Sequence, residues 1–377
     1  MANAFQKVLV TGGAGFIGSH VADEFLDAGY GVRILDNLEP PTHDGTLPEW
    51  VSRRAEFIQG DVRNKEDWRK ALQGVDAVIH LAAHMDNHLD FSRYIRTNVE
   101  SIAVLFEAIE EDHLPIKKII AASSQSVYGE GKYHCDAHGT QYAAQRTEEQ
   151  LSRNEWEQAC PVCGRVMSPV PEIEEDILKP QIPYGISKLT SEQLLKNLGK
   201  RYNIPVVLLR FSIVLGPRQS FRHFYSGALR AFSVYALNNE PILITEDGKQ
   251  TRDFVHVRDV ASAHRLVLED PRADFESFNV GSNQATPIIE LAKMAALEAG
   301  AAFNPLDTVQ YRQGDARHQH MDSSKLERLG WRRQHSLQDA VKEYVAWVKQ
   351  FGDAKQFLDK TNEHLKAKGI LKGGNAI

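Results

Sequence analysis

Hydrophobic residues follow two different spacings over the first 130 positions of the chain. Five short apolar runs rich in β-branched residues indicate strands at 7–12, 31–37, 55–61, 76–83 and 117–124. The segments between them repeat apolar residues every three to four positions, as amphipathic helices do. Strands that alternate with helices predict βαβ units, and therefore a doubly wound α/β fold with a parallel sheet covered by helices on both faces.

The alternation stops after the fifth strand. Residues 130–182 are polar, show no sustained period and form a stretch much longer than an ordinary connecting loop, so we expect an insertion with a function of its own. The α/β pattern resumes with a helix over 184–202 and a strand over 204–211. Towards the C-terminus, the pattern predicts an amphipathic helix at 336–351 and a frayed tail over 366–377.

These patterns divide the chain into two domains, as its length of 377 residues also suggests. We expect a nucleotide-binding first domain over 1–215, interrupted by the insertion at 131–180. A smaller mixed α/β domain for the substrate is expected over 216–377. Its segment 253–270 is expected to pack back on the first domain.

The composition is that of an ordinary soluble globular protein, with 42% hydrophobic and 25% charged residues. The net charge of -6 leaves no basic surface for nucleic acid, and no apolar run approaches the roughly 18 residues that a membrane span needs. The N-terminal residues lack a leader pattern, and the chain has only three cysteines. We therefore expect a cytoplasmic protein that binds neither nucleic acid nor membrane.

Three glycines, Gly12, Gly15 and Gly18, lie directly after the first predicted strand and at the start of the first helix. Such glycines can simply form a turn, but in this context they also let a pyrophosphate approach the N–H groups at the helix N-terminus. Asp36 ends the second strand, where a carboxylate accepts hydrogen bonds from the adenosine ribose and repels a 2′-phosphate. The pattern predicts a bound dinucleotide, and NAD rather than NADP.

Tyr184 and Lys188 are four residues apart on a predicted helix, so their side chains share one face. Alone, such a pair is more typical of a solvated helix face. After a complete nucleotide-binding half, however, we expect the ammonium to favour the phenolate and to lower its pKa from roughly 10. Ser124 ends the fifth strand, where α/β sheets bind ligands, and its hydroxyl can share a substrate proton with Tyr184. We predict that these three residues are catalytic.

All three cysteines lie in the insertion. Cys135 and His138 form a C-x2-H pair, and after 21 residues Cys160 and Cys163 form a C-x2-C pair. Two close pairs across a loop are the spacing of a tetrahedral zinc ribbon, and a structural zinc ion supplies folding free energy that a polar segment lacks. A redox C-x2-C pair and unpaired thiols are the competing interpretations. His134 is a spare ligand in place of His138.

The connectivity of the insertion suggests a use. It leaves the sheet after Tyr128 and rejoins it before Tyr184, so both of its ends are anchored beside the predicted catalytic residues. We therefore expect a zinc-stapled lid over the substrate, with an interface or a purely stabilising role as the alternatives.

The chain resembles the extended short-chain dehydrogenase/reductases that act on nucleotide sugars, and among them the 4-epimerases similar to UDP-glucose 4-epimerase. The resemblance rests on motifs between residue 11 and about residue 331, including TGGAGFIGSH, GDVRN, SSQSVYGEG, YGISK, DGKQTRDFVHVRDVA and YRQGDARHQHMDSSKLERLGW. The insertion is similar to that of a subgroup related to dTDP-L-rhamnose 4-epimerases. The resemblance implies a Rossmann fold, bound NAD, a nucleotide-diphosphate sugar as substrate, and a homodimer formed through the helices near 98–112 and 184–202.

The resemblance also implies which residues surround the ligands. Those expected at the dinucleotide are Gly12, Gly15, Phe16, Ile17, Gly18, Asp36, Asn37, Leu38, Asp61, Val62, Leu81, Ala82, Ala83, Asn98, Tyr184 and Lys188. Those expected at the sugar nucleotide are Ser124, Ser126, Arg252, Arg312 and Asp315. Arginine forks suit a diphosphate, although a surface ion pair is the alternative interpretation of either arginine.

The residues after Ser124 narrow the reaction that the resemblance implies. Dehydratases of the family carry Asp-Glu there, and decarboxylases carry Glu in place of Ser126, whereas this chain has Gln125 and Ser126. The remaining Ser–Tyr–Lys set favours inversion at C4 of the sugar through a transient 4-keto sugar. A nucleotide-4-ketosugar reductase is the alternative enzyme, and an NAD-sensing or protein-binding module is the alternative outside catalysis.

Three positions depart from the family pattern. Ile213 and Leu215 stand where relatives commonly carry an N-x-Y motif that contacts the substrate. His84 stands where the UDP-glucose enzyme carries lysine near the cofactor. These departures leave the cofactor chemistry intact and leave the identity of the nucleotide and the sugar open.

Overall fold

The computed structural model of the chain describes residues 5–85, 90–222, 227–306 and 309–373. Its strands are β1 (Lys7–Thr11), β2 (Gly31–Asp36), β3 (Glu56–Gln59), β4 (Ala77–His80), β5 (Lys118–Ser124), β6 (Lys132–Cys135), β7 (Gly139–Tyr142), β8 (Ser168–Val170), β9 (Val206–Phe211), β10 (Ile213–Leu215), β11 (Ile242–Leu243), β12 (Thr251–Arg252), β13 (Phe254–His256), β14 (Ser277–Val280), β15 (Thr286–Pro287), β16 (Pro305–Leu306), β17 (Tyr311–Arg312), β18 (His318–Gln319) and β19 (Leu371–Lys372). Its helices are α1 (Phe16–Asp27), α2 (Lys65–Leu72), α3 (Phe91–Tyr94), α4 (Ser101–Glu111), α5 (Glu148–Ser152), α6 (Pro183–Arg201), α7 (Gly227–Leu237), α8 (Val257–Glu269), α9 (Ile288–Ala299), α10 (Ser324–Leu329), α11 (Leu337–Val348) and α12 (Ala354–Ala367). A π-helical turn, Ile95–Glu100, joins α3 to α4.

Seven parallel strands form the central sheet, in the order β3-β2-β1-β4-β5-β9-β14. The five strands predicted from the first 130 residues are all present in it. The chain order reverses between β1 and β4, which opens a crevice at the carboxyl ends of these strands. The prediction of a doubly wound α/β fold is confirmed.

Two hydrophobic clusters cover the faces of this sheet. On one face, α1 and α8 pack together and bury Phe25 and Val260. On the other face, α2, α4 and α6 bury Trp68, Leu105 and Leu195. None of the helices within the described ranges is long and apolar enough to cross a lipid bilayer.

The second domain gathers α7, α9, α11 and α12 around a hydrophobic cluster of its own. Helix α11 begins with a capping box, in which the side chains of Ser336 and Asp339 each bond the other residue's backbone N–H. The chain nevertheless returns to the first domain, because α8 packs on α1 and β14 adds the seventh strand beside β9. The domain limits 1–215 and 216–377 stay a prediction. The central sheet includes β14, which comes from the part of the chain after residue 215.

The insertion folds as a three-stranded antiparallel sheet in the order β7-β6-β8. A small buried cluster beside it consists of Tyr133, Cys135, Ala143, Cys160 and Met167. The end of the insertion also pairs with the second domain, where the N–H of Glu172 donates to the carbonyl of His320 (3.0 Å). The end of the insertion is therefore joined to the second domain by backbone hydrogen bonding.

The C-terminal segment is more ordered than the sequence predicts. Helix α12 continues to Ala367, and β19 then pairs antiparallel with β17, so that Leu371 lies opposite Arg312. The prediction of a frayed tail is wrong for 366–372, because Leu365 and Leu371 are buried and anchor it. Residues 374–377 lie outside the described residues.

Candidate active site

A cavity of about 820 Å³ opens at the carboxyl ends of the central strands. Its first wall runs from the glycine loop after β1 to the start of α6. Its second wall belongs to the second domain and includes α7, β12 and β17. This is the position in which open α/β sheets bind their ligands.

The glycine loop leaves the backbone bare for a ligand. Gly12 has a φ of +67°, and a Cβ at this position would lie 2.9 Å from the backbone nitrogen of Ala82. A Cβ at Gly18 would lie 2.1 Å from the carbonyl oxygen of Gly12, so neither position accepts a larger residue. Gly15 is the N-cap of α1, and the residues that follow it line the cavity with the unpaired N–H groups of the first turn.

Asp36 lies buried at the end of β2, where the sequence predicts the ribose-binding carboxylate. One of its oxygens accepts the N–H of Ala14 (3.0 Å), and the other accepts the N–H of Leu38 (2.9 Å). His43 Nε2 is 3.8 Å from the carboxylate, and burial lowers the pKa of that imidazole despite the raising effect of Asp36. The carboxylate is thus held in place at the cavity wall.

Most of the other residues predicted for the dinucleotide also line the cavity. They are Phe16, Ile17, Asn37, Asp61, Val62, Leu81, Ala82 and Ala83. Leu38 and Asn98 do not line it. Leu38 is buried in the core, and the Asn98 amide is fully used within the protein, where it donates to the His84 carbonyl (3.0 Å) and the Ser187 hydroxyl (2.9 Å). Asn98 therefore positions the cavity wall from behind.

Tyr184 and Lys188 face the cavity from the first turns of α6, which begins with Pro183. Lys188 is buried, and its Nζ donates to the carbonyl of Ala122 on β5 (2.9 Å). Burial lowers the pKa of Lys188 to about 8, although the charge of Glu192 acts in the opposite direction. Ser124 ends β5, and its Oγ lies 2.6 Å from the Oγ of Ser126. The structure brings the three predicted catalytic residues to one cavity.

The predicted substrate residues line the same cavity, with two arginines on its second wall. Arg252 donates to the carbonyls of Ala316 (2.6 Å) and Arg317 (3.1 Å), so its guanidinium is fixed by the loop that follows β17. Arg312 belongs to β17 itself, and its buried Nε has no hydrogen-bond partner in the described part of the chain. Asp315 also lines the cavity, and its backbone carbonyl accepts a hydrogen bond from Arg146 of the insertion (2.8 Å).

The four predicted metal ligands form one cluster in the insertion. The Sγ of Cys135 lies 3.6 Å from the Nδ1 of His138 and 3.7 Å from the Sγ of Cys163. The Sγ of Cys160 lies 3.6 Å from the same imidazole nitrogen. All four ligand atoms lie within 4.8 Å of one another, whereas His134 is outside the cluster.

A known protein family shares the glycine loop and the segments that carry Ser124, Tyr184 and Lys188. A family model described as the NAD dependent epimerase/dehydratase family matches residues 8–163 and 158–281. The chain belongs to this family. The match spans the glycine loop, both segments with predicted catalytic residues and the start of the second domain.

A curated relative and two solved structures support this family assignment. The chain is 34% identical over 358 residues to the dTDP-L-rhamnose 4-epimerase of Burkholderia thailandensis, covering 93% of this chain and 97% of that protein. The solved UDP-glucose 4-epimerase of Thermotoga maritima with UDP-glucose has a TM-score of 0.73 and 29% identity, covering 92% and 99% of the two chains. The UDP-glucose 4-epimerase of Thermus thermophilus in complex with NAD has a TM-score of 0.72 and 27% identity, covering 91% and 99%. The resemblance to nucleotide-sugar 4-epimerases is confirmed.

In this member of the epimerase/dehydratase family, the insertion does not cover the cavity. Of the described residues at the cavity, none comes from 131–180, and only Glu130, Gln181 and Ile182 flank the insertion. The expected lid is therefore not supported. Instead, the buried Arg146 of the insertion donates twice to Glu246 of the second domain (2.8 and 2.9 Å). Sequence spacing gives no signal for such an ion pair, because the partners lie 100 residues apart.

Proposed function

We propose that this chain is an NAD-dependent epimerase that inverts C4 of a nucleotide-diphosphate sugar through a transient 4-keto sugar. The observation that carries the proposal is the set of Ser124, Tyr184 and Lys188 in one cavity, with the non-titrating Gln125 and Ser126 beside it. This set suffices to remove one proton and return it, and the extra acid and base of a dehydratase are missing from these two positions.

The residues around the first wall fit NAD. Gly12 and Gly18 leave space that a Cβ would fill, Asp36 offers a fixed acceptor for ribose hydroxyls, and Lys188 lies at the inner end of the cavity. Bound NAD supplies the hydride acceptor and donor for C4 of the sugar. The protein's part is to hold the cofactor and the sugar in register and to move the hydroxyl proton.

Tyr184 is the proposed base and acid of the reaction. As a phenolate it takes the proton of the sugar 4-hydroxyl, and it later returns that proton to the oxygen of the 4-keto group when the hydride adds to the opposite face of C4. The buried ammonium of Lys188 favours the phenolate form, since the two side chains lie one helical turn apart. Ser124 shares the proton through its hydroxyl, which is oriented by Ser126 (2.6 Å).

The test uses purified protein and a panel of UDP-, dTDP- and GDP-sugars without added cofactor, with the products resolved by chromatography. dTDP-L-rhamnose belongs in the panel because the Burkholderia relative is named for it. We expect the C4 epimer of one sugar nucleotide. A parallel assay adds NADH or NADPH and a nucleotide-4-ketosugar, and consumption of the reduced cofactor there, without epimerisation in the panel, would identify a ketosugar reductase instead. Absence of turnover in both assays would favour the non-enzymatic module.

Variants tie the activity to the proposed residues. Tyr184→Phe is expected to abolish turnover while the protein keeps its NAD, because the phenolic oxygen acts on the sugar and not on cofactor binding. Tyr202→Phe, at the end of the same helix and stacked on Phe106, is the matched control. Near-normal activity in Tyr184→Phe would refute the assignment.

We also propose that Cys135, His138, Cys160 and Cys163 hold a structural zinc ion. Tetrahedral zinc with thiolates at about 2.3 Å has ligands separated by about 3.8 Å, and the separations of 3.6 and 3.7 Å in the cluster fit this value. The convergence of four ligand atoms within 4.8 Å of one another favours a metal over a redox pair, because a redox pair needs only two neighbouring thiols. The protein fills all four positions, which makes the ion structural rather than catalytic.

We further propose a cytoplasmic homodimer. The sparing use of cysteine supports the compartment, since the thiols are free and clustered for metal. Two exposed isoleucines support the dimer, Ile95 on the π-helical turn and Ile186 on α6, because these adjacent elements carry apolar side chains at the surface.

A further inference from the structure

Arg230 is a cavity residue that the sequence analysis did not single out. It lies on α7 and is only 3% exposed, yet it lines the same cavity as Arg312. Its Nη1 donates to the carbonyl of Phe221 (3.0 Å) and to the hydroxyl of Thr361 on α12 (3.1 Å). Its Nε is buried and has no hydrogen-bond partner among the residues that the structure describes.

Within the described ranges, no acidic side chain neutralises the charge of Arg230. No described carboxylate lies within ion-pair distance of Arg230 or of Arg312, whereas other buried arginines, such as Arg146, Arg210 and Arg317, have acidic partners. Burial lowers the pKa of Arg230 to about 10, and the nearby charge of Arg312 acts in the same direction. Two uncompensated guanidiniums thus share one cavity.

This arrangement is costly unless a ligand supplies the missing negative charge. An ionised group taken out of water without a partner destabilises the folded protein, so unpaired buried charges are concentrated at functional sites. Guanidinium groups match the geometry of phosphate oxygens and bind them through two N–H donors at once. Two such groups suit an anion that carries at least two charges.

The C-terminal segment holds both arginines in place. Thr361 of α12 accepts a hydrogen bond from Arg230, and β19 pairs with the strand that carries Arg312. Leu358 and Leu371 of the same segment line the cavity beside them. The two guanidiniums are therefore positioned before any ligand arrives, which lowers the entropy cost of binding.

We propose that Arg230 is a further substrate-binding residue that contacts the diphosphate of the nucleotide sugar together with Arg312. The inference rests on the proposed function, which supplies the class of ligand. It gives the diphosphate a partner on α7 in addition to the arginines of β12 and β17. A purely structural arginine, which would only join α7 to Phe221 and α12, is the competing interpretation.

The experiment measures binding of UDP, dTDP and GDP, and of the matching nucleosides uridine, thymidine and guanosine, to the NAD-loaded protein by calorimetry. One of the nucleoside diphosphates should bind to the wild type, and Arg230→Met is expected to raise its Kd by about tenfold or more. The Kd of the matching nucleoside should change by less than about twofold. Arg230→Lys, which keeps the charge and loses the fork, is expected to lie between the two. Arg201→Met, an exposed position at the end of α6, is the matched control.

Thermal unfolding of the ligand-free variants separates the interpretations. If Arg230 serves to bind the diphosphate, ligand-free Arg230→Met should unfold at the same temperature as the wild type or at a higher one, because the substitution removes a buried unpaired charge. A lower unfolding temperature with unchanged diphosphate affinity would overturn the inference and favour the structural role. If the wild type binds no nucleoside diphosphate at all, the proposed function fails as well, which distinguishes the two failures.

Discussion

Arg317 of the second domain and Glu157 of the insertion form an ion pair in which both Nε (3.0 Å) and Nη2 (2.6 Å) donate to one carboxylate oxygen. The same guanidinium donates to Glu246 (2.9 Å) and to Asp247 (2.8 and 3.0 Å). His318 and Arg317 together hold the pKa of Glu157 at about 2. Arg317 also fixes the substrate wall, since its carbonyl accepts a hydrogen bond from Arg252. The insertion is therefore a buttress for the loop after β17.

Glu157→Gln tests this buttress. We expect a loss of about 1–2 kcal/mol in the free energy of unfolding, because Arg317 loses a charged acceptor. We also expect a higher KM for the nucleotide sugar with unchanged NAD content, because the loop that carries Arg317 holds Arg252. Urea unfolding and steady-state kinetics measure the two effects. Glu155→Gln is the control, since Glu155 forms its ion pair with Arg153 at the surface of the insertion. Equal behaviour of the two variants would contradict the buttress.

Removal of the proposed zinc ion is expected to loosen the insertion and leave the NAD site intact. His138→Asn should lose the metal, measured by elemental analysis, and lower the unfolding temperature, because the small core of the insertion depends on the ion. His134→Asn is the control, because His134 lies outside the ligand cluster and should keep one ion per chain. Full metal content in His138→Asn would exclude this ligand set.

The lowered pKa of Lys188 leads us to expect that the stability of the NAD-free protein depends on pH. Burial lowers the pKa of this lysine from 10.5 to about 8 in the folded state. Below pH 8 the buried ammonium therefore destabilises the folded protein by its full amount, and this destabilisation decreases above pH 8 and disappears above pH 10.5. Lys188→Met should therefore be inactive yet more stable than the wild type by about 1–3 kcal/mol at pH 7, with a smaller difference at pH 10. Urea unfolding at both pH values measures this.

The control for this experiment is Lys200→Met, in the exposed last turn of α6. Its stability relative to the wild type should not vary with pH in this range. A Lys188→Met variant that is less stable than the wild type at pH 7 would show that the hydrogen bond to Ala122 outweighs the burial cost.

The proposed homodimer predicts that a charge on α6 separates the subunits. Ile186 is 48% exposed and lies beside the π-helical turn, so Ile186→Asp should shift the mass measured by light scattering towards that of a monomer. Ile177→Asp, at an even more exposed position of the insertion, is the control and should leave the mass unchanged. A wild-type protein that is already monomeric would rule out the dimer.

Local patterns were enough to predict six of the seven strands of the central sheet, the glycine loop, the Tyr184–Lys188 pair and the cluster of Cys and His residues in the insertion. Gly12 and Gly18, Tyr184 and Lys188, and the Cys/His pairs each depend on spacing within one or two turns, which the sequence displays directly. Their convergence in one fold follows from the α/β topology.

The contacts that the sequence could not predict are long-range. Arg230 has the pattern of an ordinary helix residue, and only the packing of α12 reveals its burial. The pairing of Arg146 with Glu246 and the ordering of the tail by β19 likewise join segments 100 or about 60 residues apart. The resemblance implied that Leu38 and Asn98 contact the cofactor. In the structure, the Leu38 side chain packs in the hydrophobic core, and the Asn98 side chain bonds Ser187 behind the cavity wall.

The seventh strand of the sheet has a practical consequence for protein engineering. Because β14 and α8 come from the later half of the chain, a gene cut after residue 215 would produce a fragment with a bare strand edge at β9 and an uncovered face on α1. Exchanging residues 216–377 with those of a relative would also replace parts of the nucleotide-binding half. Chimeras that transplant specificity should instead exchange 216–253 and 281–323 separately, so that the recipient keeps its own interlocking strand and helix.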